Sequence, residues 1–378
     1  MKIIIDENIA FAEEAFSNYG TIELYNGRKI NNEILKNADA LIIRSITNVN
    51  KELLNNTSVK FVGTATIGTD HVDLEYLKNN GIVFSDAKGC NSNAVAEYVL
   101  TGLLAVANKN KIDIMNKTMG VIGYGNVGKK VVNLAEAIGL KVLVNDPPLE
   151  RCGYNYKFSS LEEVLKCDIV SFHVPFNNGG VDNTYHLLNK NNIGLLKKDV
   201  ILFNTARGAV VDNSVIVKFA NENPSTKLIF DVWENEPICN YELVKKVDIA
   251  TAHIAGYSFE GKVIGTEMIY KAFCNCFGLT PTWNYQLFNS IIKEFNYSID
   301  ENLSNNILAI TKSIYDIFED TSNFKKILEY DTNGGAKYFD GIRKNYKLRM
   351  EFPNYKVKVS DEIDSDISET LKNMRFKL

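Results

Sequence analysis

The sequence predicts an α/β protein: two Rossmann- or flavodoxin-like lobes with parallel sheets, plus a small C-terminal α+β domain. Three observations carry this. Over roughly the first 280 residues, short β-branched runs alternate with amphipathic stretches, the pattern of strands alternating with helices. The apolar runs are continuous, as in 200–204, which suits strands buried on both faces of a parallel sheet. A Gly-Tyr-Gly-Asn-Val-Gly segment at 123–128 follows one such run and opens a helix, the setting of a phosphate-binding turn.

In chain order, strands are expected at 2–5, 40–44, 60–63, 82–84, 119–122, 141–145, 169–172, 200–204, 228–231 and 249–252. A long helix over 91–110 starts on Asn and Ser and has the length to bridge two lobes. A helix over 127–138 follows the glycine turn, and another over 258–277 returns the chain to the first lobe. Beyond about residue 283 strands become sparse. Leu303, Ile307, Ile310, Ile314 and Ile317 recur at spacings of four and three, predicting one amphipathic helix. Tyr355, Val357 and Val359 alternate with lysines, predicting a strand with one buried face. The expected division is a substrate-binding lobe (1–92 and 257–282), a dinucleotide-binding domain (93–256) and the C-terminal domain (283–378).

A chain of 378 residues exceeds one ordinary core and so calls for two or three domains. The net charge of −4 gives no electrostatic reason to expect nucleic acid or an anionic membrane as partner. The apolar run at the N-terminus is too short for a signal peptide, and no uncharged stretch reaches a membrane span of about 18–20 residues. A cytoplasmic protein is expected. Its six scattered cysteines read as reduced, mostly buried thiols, and no metal site is expected.

In the glycine turn, Gly123 permits the bend, Gly125 lets backbone approach a pyrophosphate and Gly128 lets helix and strand close up. The amides of Asn126 and Val127 face the phosphate oxygens. Asp146 ends the next strand, 18 residues on, where a carboxylate takes the ribose hydroxyls and repels a 2′-phosphate. NAD is therefore expected rather than NADP. Asp231 and the His173-Val174-Pro175 segment end later strands, as candidates for the nucleotide crevice or for packing.

Oxidising a 2-hydroxy acid requires a cation for the carboxylate, and a base for the hydroxyl proton. Arg207, in a turn after a buried strand, supplies the planar fork. Of the four histidines, His253 follows a strand at the sheet edge where α/β ligands bind, and is the candidate proton carrier. Its acidic partner is Glu234 or Glu236, both on the turn after Trp233; either can reach an imidazole. His71 reads as structural, His186 as surface, and His173 as a residue touching cofactor.

These segments resemble the D-isomer-specific 2-hydroxyacid dehydrogenase family, whose marks are the glycine-rich loop, an Arg-Gly turn, an acid in a Glu-x-Glu-Pro-like segment and a histidine before a glycine. The resemblance covers residues 1 to about 280. It implies Arg207 as substrate-binding arginine, Glu236 (the acid directly before Pro237) as partner acid, and His253 as acid/base. It further implies cofactor contacts at Val174, Thr205, Ala206, Asp231 and Gly256. Where relatives often carry threonine this chain has Val174, so only a backbone contact is expected there.

A narrower resemblance, to one branch of that family, spans the whole chain. It rests on Asp6-Glu-Asn, the 62–73 segment, Gly89-Cys-Asn, Asp146-Pro-Pro, His253-Ile-Ala-Gly-Tyr-Ser and the 342–349 segment. It implies Ser45, Thr66 and Tyr257 as substrate contacts and a homodimer formed through the tail. The implied reaction is NAD-dependent oxidation of 4-phospho-D-erythronate in pyridoxal 5′-phosphate synthesis. Arg44 and the tail cations Arg343, Lys344, Lys347 and Arg349 are candidates for holding the 4-phosphate. The four tail cations also read as a solvated basic face. The alternatives are a dehydrogenase for another 2-hydroxy acid, such as 3-phosphoglycerate, and a non-catalytic NAD(H)-sensing protein.

Overall fold

The structure is a computed structural model that describes residues 1–284, 291–298, 302–359 and 365–378. The chain forms two compact units, Met1–Asn91 with Ser258–Phe288, and Ser92–Tyr257 with Asn289–Leu378.

In the first unit, β1 (Lys2–Asp6), β2 (Thr21–Tyr25), β3 (Ala40–Ile43), β4 (Phe61–Thr64) and β5 (Val83–Asp86) form a parallel sheet in the order β2-β1-β3-β4-β5. The continuous apolar runs are fully buried: Ile3, Ile4 and Ile5 on β1, Leu41, Ile42 and Ile43 on β3. The chain reverses direction across the sheet between β1 and β3, which opens a crevice at their carboxyl ends. Buried Asp6 stands there, with Arg44 Nε 3.2 Å from its Oδ1. The edge strand β2 was not expected; its Thr-Ile-Glu-Leu-Tyr is only partly buried, and Glu23 pairs with Lys2.

The helix Phe259–Cys276 belongs to this unit and starts where Ser258 Oγ accepts from Gly261 N at 2.9 Å. It lies close to the sheet: a Cβ on Gly63 would sit 2.3 Å from Ile269 Cγ2. Phe273 and Tyr270 on this helix join Phe16 and Phe61 in one core. Burying each such aromatic stabilises the unit by about 2–3 kcal/mol.

The second unit holds β6 (Thr118–Ile122), β7 (Lys141–Asn145), β8 (Ile169–Phe172), β9 (Ile201–Asn204), β10 (Lys227–Phe230) and β11 (Ile249–Ala250), parallel in the order β11-β10-β9-β8-β6-β7. Its reversal point lies between β6 and β8. The helix Ser92–Lys109 is apolar on nearly every side and buried along most of its length, as a core helix must be.

The C-terminal segment packs in this same unit. Its β12 (Lys293–Asn296) and β13 (Tyr355–Lys358) pair in parallel, with Phe295 opposite Val357. As expected, Tyr355 and Val357 are buried on one face. β12 was not expected, because Lys-Glu-Phe-Asn carries a single apolar residue. The single helix expected through Ile317 is two helices, Leu303–Ile314 and Ile317–Lys325. Tyr315 is extended between them, and Asp316 caps the second by accepting from Phe318 N at 3.0 Å. A side-chain oxygen that satisfies a free amide starts a new helix despite the unbroken apolar spacing.

Candidate active site

The glycine turn has the geometry that its sequence implied. Gly123 adopts φ 95°, and a Cβ there would lie 2.7 Å from the His173 carbonyl oxygen. A Cβ on Gly128 would lie 1.9 Å from the Gly123 oxygen, so helix and strand touch through backbone alone. Around Gly125, by contrast, a Cβ would meet no protein atom within 4 Å. The helix Asn126–Ala137 begins there without a side-chain cap, leaving its first amides to a ligand. Asp146 ends the neighbouring strand and accepts from Tyr124 N at 2.7 Å and Leu149 N at 3.0 Å. Pro147 and Pro148 follow, without a cation. An open glycine face, free helix amides and an acceptor at the strand end fit NAD.

Across the reversal point, His173 hydrogen-bonds Ser171 Oγ through Nε2 at 2.8 Å and lies 3.4 Å from Thr205 Oγ1 through Nδ1. Burial pushes its imidazole down to about 3, so the ring is neutral. Val174 borders Gly123, and Ala206 is buried with its amide on Asn204 Oδ1 at 3.2 Å. Gly256 lies in the turn in which Tyr257 N donates to Ile254 O at 2.8 Å.

Arg207 follows β9 in a turn held by Asn204, whose Nδ2 donates to the Arg207 carbonyl at 3.0 Å. Its Nη1 donates to Ala206 O at 2.8 Å. The next residue, Gly208, lies against the backbone of Trp233. Trp233 is buried, donates through its indole to Thr251 O at 2.8 Å and stacks on Phe324 at 5.1 Å. This one side chain therefore fixes the turn after β10 relative to the strand leading to His253.

The structure separates the two glutamates. Glu236 Oε1 hydrogen-bonds His253 Nδ1, and its Oε2 accepts from Trp233 N at 3.1 Å. Glu234 faces the other way, bonding His186 Nε2 at 2.7 Å and Asn213 Nδ2 at 2.9 Å. Burial alone would push the Glu236 carboxyl up. The charge and hydrogen bond of His253, joined by Arg343, hold it below the usual carboxylate range. His186, expected as surface, is thus tied to Glu234 and lies 3.5 Å from Asp212.

The loop carrying His253 has its backbone at φ 55° and is fixed by Asp231. Asp231 is 1% exposed and accepts from Thr251 Oγ1 at 2.6 Å, Ile254 N at 2.8 Å and Ala255 N at 2.9 Å. Both Asp231 oxygens are thus engaged by Thr251 and the loop that carries His253.

In the first unit, Ser45 is exposed just after Arg44. Thr66 Oγ1 bonds Thr64 Oγ1 at 2.9 Å, and Thr64 in turn lies 3.3 Å from His71 Nε2. His71 thus supports the threonine loop. In the second unit, Tyr257 lies edge-on to Tyr346 at 6.0 Å and under Arg343 at 5.7 Å. The solvated reading of the tail cations fails at Arg349, which is 8% exposed with Nη2 on the Ala255 carbonyl. Arg343 and Arg349 are the residues whose place near His253 sequence reasoning missed; their only signal was a basic segment.

A glycine-loop nucleotide fold with an arginine and a carboxylate-backed histidine at the sheet's carboxyl edge defines an NAD-dependent dehydrogenase of 2-hydroxy acids. Consistent with this, the family described as D-isomer specific 2-hydroxyacid dehydrogenase, NAD binding domain, matches residues 94–255. A second family, described as a domain of unknown function (DUF3410), matches residues 290–373. The erythronate-4-phosphate dehydrogenase of Pseudoalteromonas atlantica is 39% identical over 355 residues, covering 93% of this chain and 94% of the relative. That of Psychromonas ingrahamii is 41% identical over 369 residues, covering 96% and 94%. Among solved structures, the NAD+-bound 3-phosphoglycerate dehydrogenase of Entamoeba histolytica aligns with a TM-score of 0.62 at 25% identity, covering 76% of this chain and 99% of that one. The chain belongs to the erythronate-4-phosphate dehydrogenase family.

Proposed function

We propose that this protein oxidises 4-phospho-D-erythronate to (R)-3-hydroxy-2-oxo-4-phosphooxybutanoate with NAD, as a step of pyridoxal 5′-phosphate synthesis. The observation that carries the mechanism is the Glu236–His253 hydrogen bond. It fixes a proton on Nδ1 and leaves Nε2 as the base. His253 takes the C2 hydroxyl proton. Glu236 stabilises the imidazolium that forms. Arg207 holds the substrate carboxylate. When bound, NAD supplies the hydride acceptor.

The glycine turn 123–128 holds the pyrophosphate, and Asp146 the adenosine ribose. Val174, Thr205, Ala206, Asp231 and Gly256 complete the nucleotide site. Ser45, Thr66 and Tyr257 contact substrate, with Arg44 nearest Ser45 as a cation for the 4-phosphate. In this reading 1–92 with 257–282 is the substrate lobe, 93–256 the NAD domain and 283–378 a dimerisation domain. Among the described residues, no helix is long and apolar enough to cross a membrane. We read the protein as a cytoplasmic homodimer, to be checked by sedimentation.

Turnover of 4-phospho-D-erythronate compared with 3-phosphoglycerate, in the native chain and in His253→Ala, tests the proposal. A clear preference for the four-carbon substrate, abolished by the substitution, is expected. Equal or reversed preference would reassign the substrate. Undiminished turnover in His253→Ala would remove the proton carrier.

A further inference from the structure

The loop that carries His253 is fastened from two directions. Asp231 takes the amides of Ile254 and Ala255, at 2.8 and 2.9 Å. Arg349, from the C-terminal segment, takes the Ala255 carbonyl. Its guanidinium lies 5.0 Å over the Tyr315 ring, with Nη1 buried and without a hydrogen-bond partner. The charged and titratable groups facing it are Tyr346, Tyr315, Glu97 and Asp231, together with Tyr98.

A second arginine from the same segment acts on the acid through its charge. Arg343, in the last turn of the helix Thr332–Lys344, lies 5.7 Å from the Tyr257 ring and 5.8 Å from Phe339. Its Nε is buried with no hydrogen-bond partner. It is faced by Tyr257, Glu236 and Asp340. Glu236 is in turn faced by His253 and Arg343, with Cys239 beside it. Glu236 thus bonds an imidazole while it lies in the field of a permanent cation.

We propose that Arg343 and Arg349 are positioning residues for the acid/base pair: Arg349 fixes the loop that carries His253, and Arg343 sets the charge that Glu236 presents to it. The proposal rests on His253 being the proton carrier. It makes the C-terminal segment a part of the catalytic apparatus. The sign follows from electrostatics. A cation near the dyad disfavours the imidazolium, so its removal favours the charged ring. Oxidation needs the neutral ring, so the acid limb of the rate profile moves to higher pH.

The test uses the full-length protein with NAD and 4-phospho-D-erythronate, measuring kcat and KM against pH for Arg343→Met, Arg343→Lys, Arg349→Met and Arg349→Lys. Arg343→Met moves the acid limb of kcat up by about half to one pH unit, and Arg343→Lys brings it back. Arg349→Met lowers kcat about ten- to a hundredfold with the KM for NAD unchanged, and Arg349→Lys recovers part of it. If Arg349→Met does not fold, the kcat of Arg349→Lys decides.

An unmoved limb with a raised KM for the phosphorylated substrate in Arg343→Met would make Arg343 a substrate ligand and overturn its assignment. A wild-type kcat in folded Arg349→Met, or in Arg349→Lys where that variant decides, would overturn the other half. His253→Ala is measured alongside. If it retains turnover, the proton-carrier reading fails; if it is inactive while the arginine variants keep native profiles, only this proposal fails.

Discussion

Gly208 and Trp233 touch through backbone alone: a Cβ on Gly208 would fall 2.0 Å from the Trp233 carbonyl carbon. The turn that presents Arg207 is thereby pressed against the turn that presents Glu236. Gly208→Ala should force the two apart. Because displacements near 1 Å at a reacting centre cost about a hundredfold, kcat/KM is expected to fall at least that far. A variant that retains native kinetics would show that the contact positions nothing.

Glu236→Gln removes the anion that favours a charged imidazole. The neutral ring is favoured, and the acid limb of the oxidation profile moves to lower pH, opposite in sign to the Arg343→Met effect. Loss of imidazolium stabilisation lowers kcat by about 10²–10³. Steady-state rates between pH 5 and 9 check both.

Glu234 makes a contrast two residues away. Its partners are His186 and Asn213. Glu234→Ala should cost about 1–3 kcal/mol of stability from the buried groups left unpaired, while kcat stays within about threefold of native. Chemical denaturation together with turnover separates this outcome from one in which the glutamates exchange roles.

His173 predicts a pH dependence of stability. Its pKa is about 3 in the folded chain, set by burial, against about 6.5 when unfolded. The unfolded chain binds the extra proton between those values. The stability contribution is therefore complete above pH 6.5 and declines as pH falls, by up to about 1.4 kcal/mol per unit. His173→Asn should flatten the fall of Tm between pH 6.5 and 4.5. An unchanged slope would show that other groups govern acid sensitivity.

Asp146→Ala should raise the KM for NAD about tenfold and narrow the preference over NADP, since the ribose acceptor and its repulsion of a 2′-phosphate go together. Initial rates with both nucleotides measure it. The same carboxylate also holds Tyr124 N and Leu149 N, so Asp146→Asn separates charge from capping.

The central strands were readable because Ile3–Ile5 and Ile201–Phe203 are buried on both faces, which leaves little choice but continuous apolar runs. β2 and β12 escaped because edge strands tolerate charges, and β12 has only Phe295 to mark it. Spacing predicted a helix through Ile317, yet the Asp316 cap ended it, since a local hydrogen bond decides boundaries that periodicity does not see. In the candidate site, the glycine turn was legible because backbone geometry demands glycine. Glu234 and Glu236 were not separable by spacing: residues two apart on an irregular turn can face either way, and Asn235 between them at φ 62° sends them to different histidines. Arg349 read as a phosphate-holding cation or a solvated one, because a sequence cannot show that Ala255 offers it a carbonyl.

The stacking of Trp233 on Phe324 bears on how far this protein can be shortened. The indole belongs to the nucleotide-binding fold and the phenyl ring to the tail, and both are almost wholly buried. A chain cut before residue 289 would not leave a smaller, self-sufficient dehydrogenase. It would present a freshly uncovered aromatic face to water, beside the loop that holds the imidazole, and would be prone to self-association before it could turn over substrate.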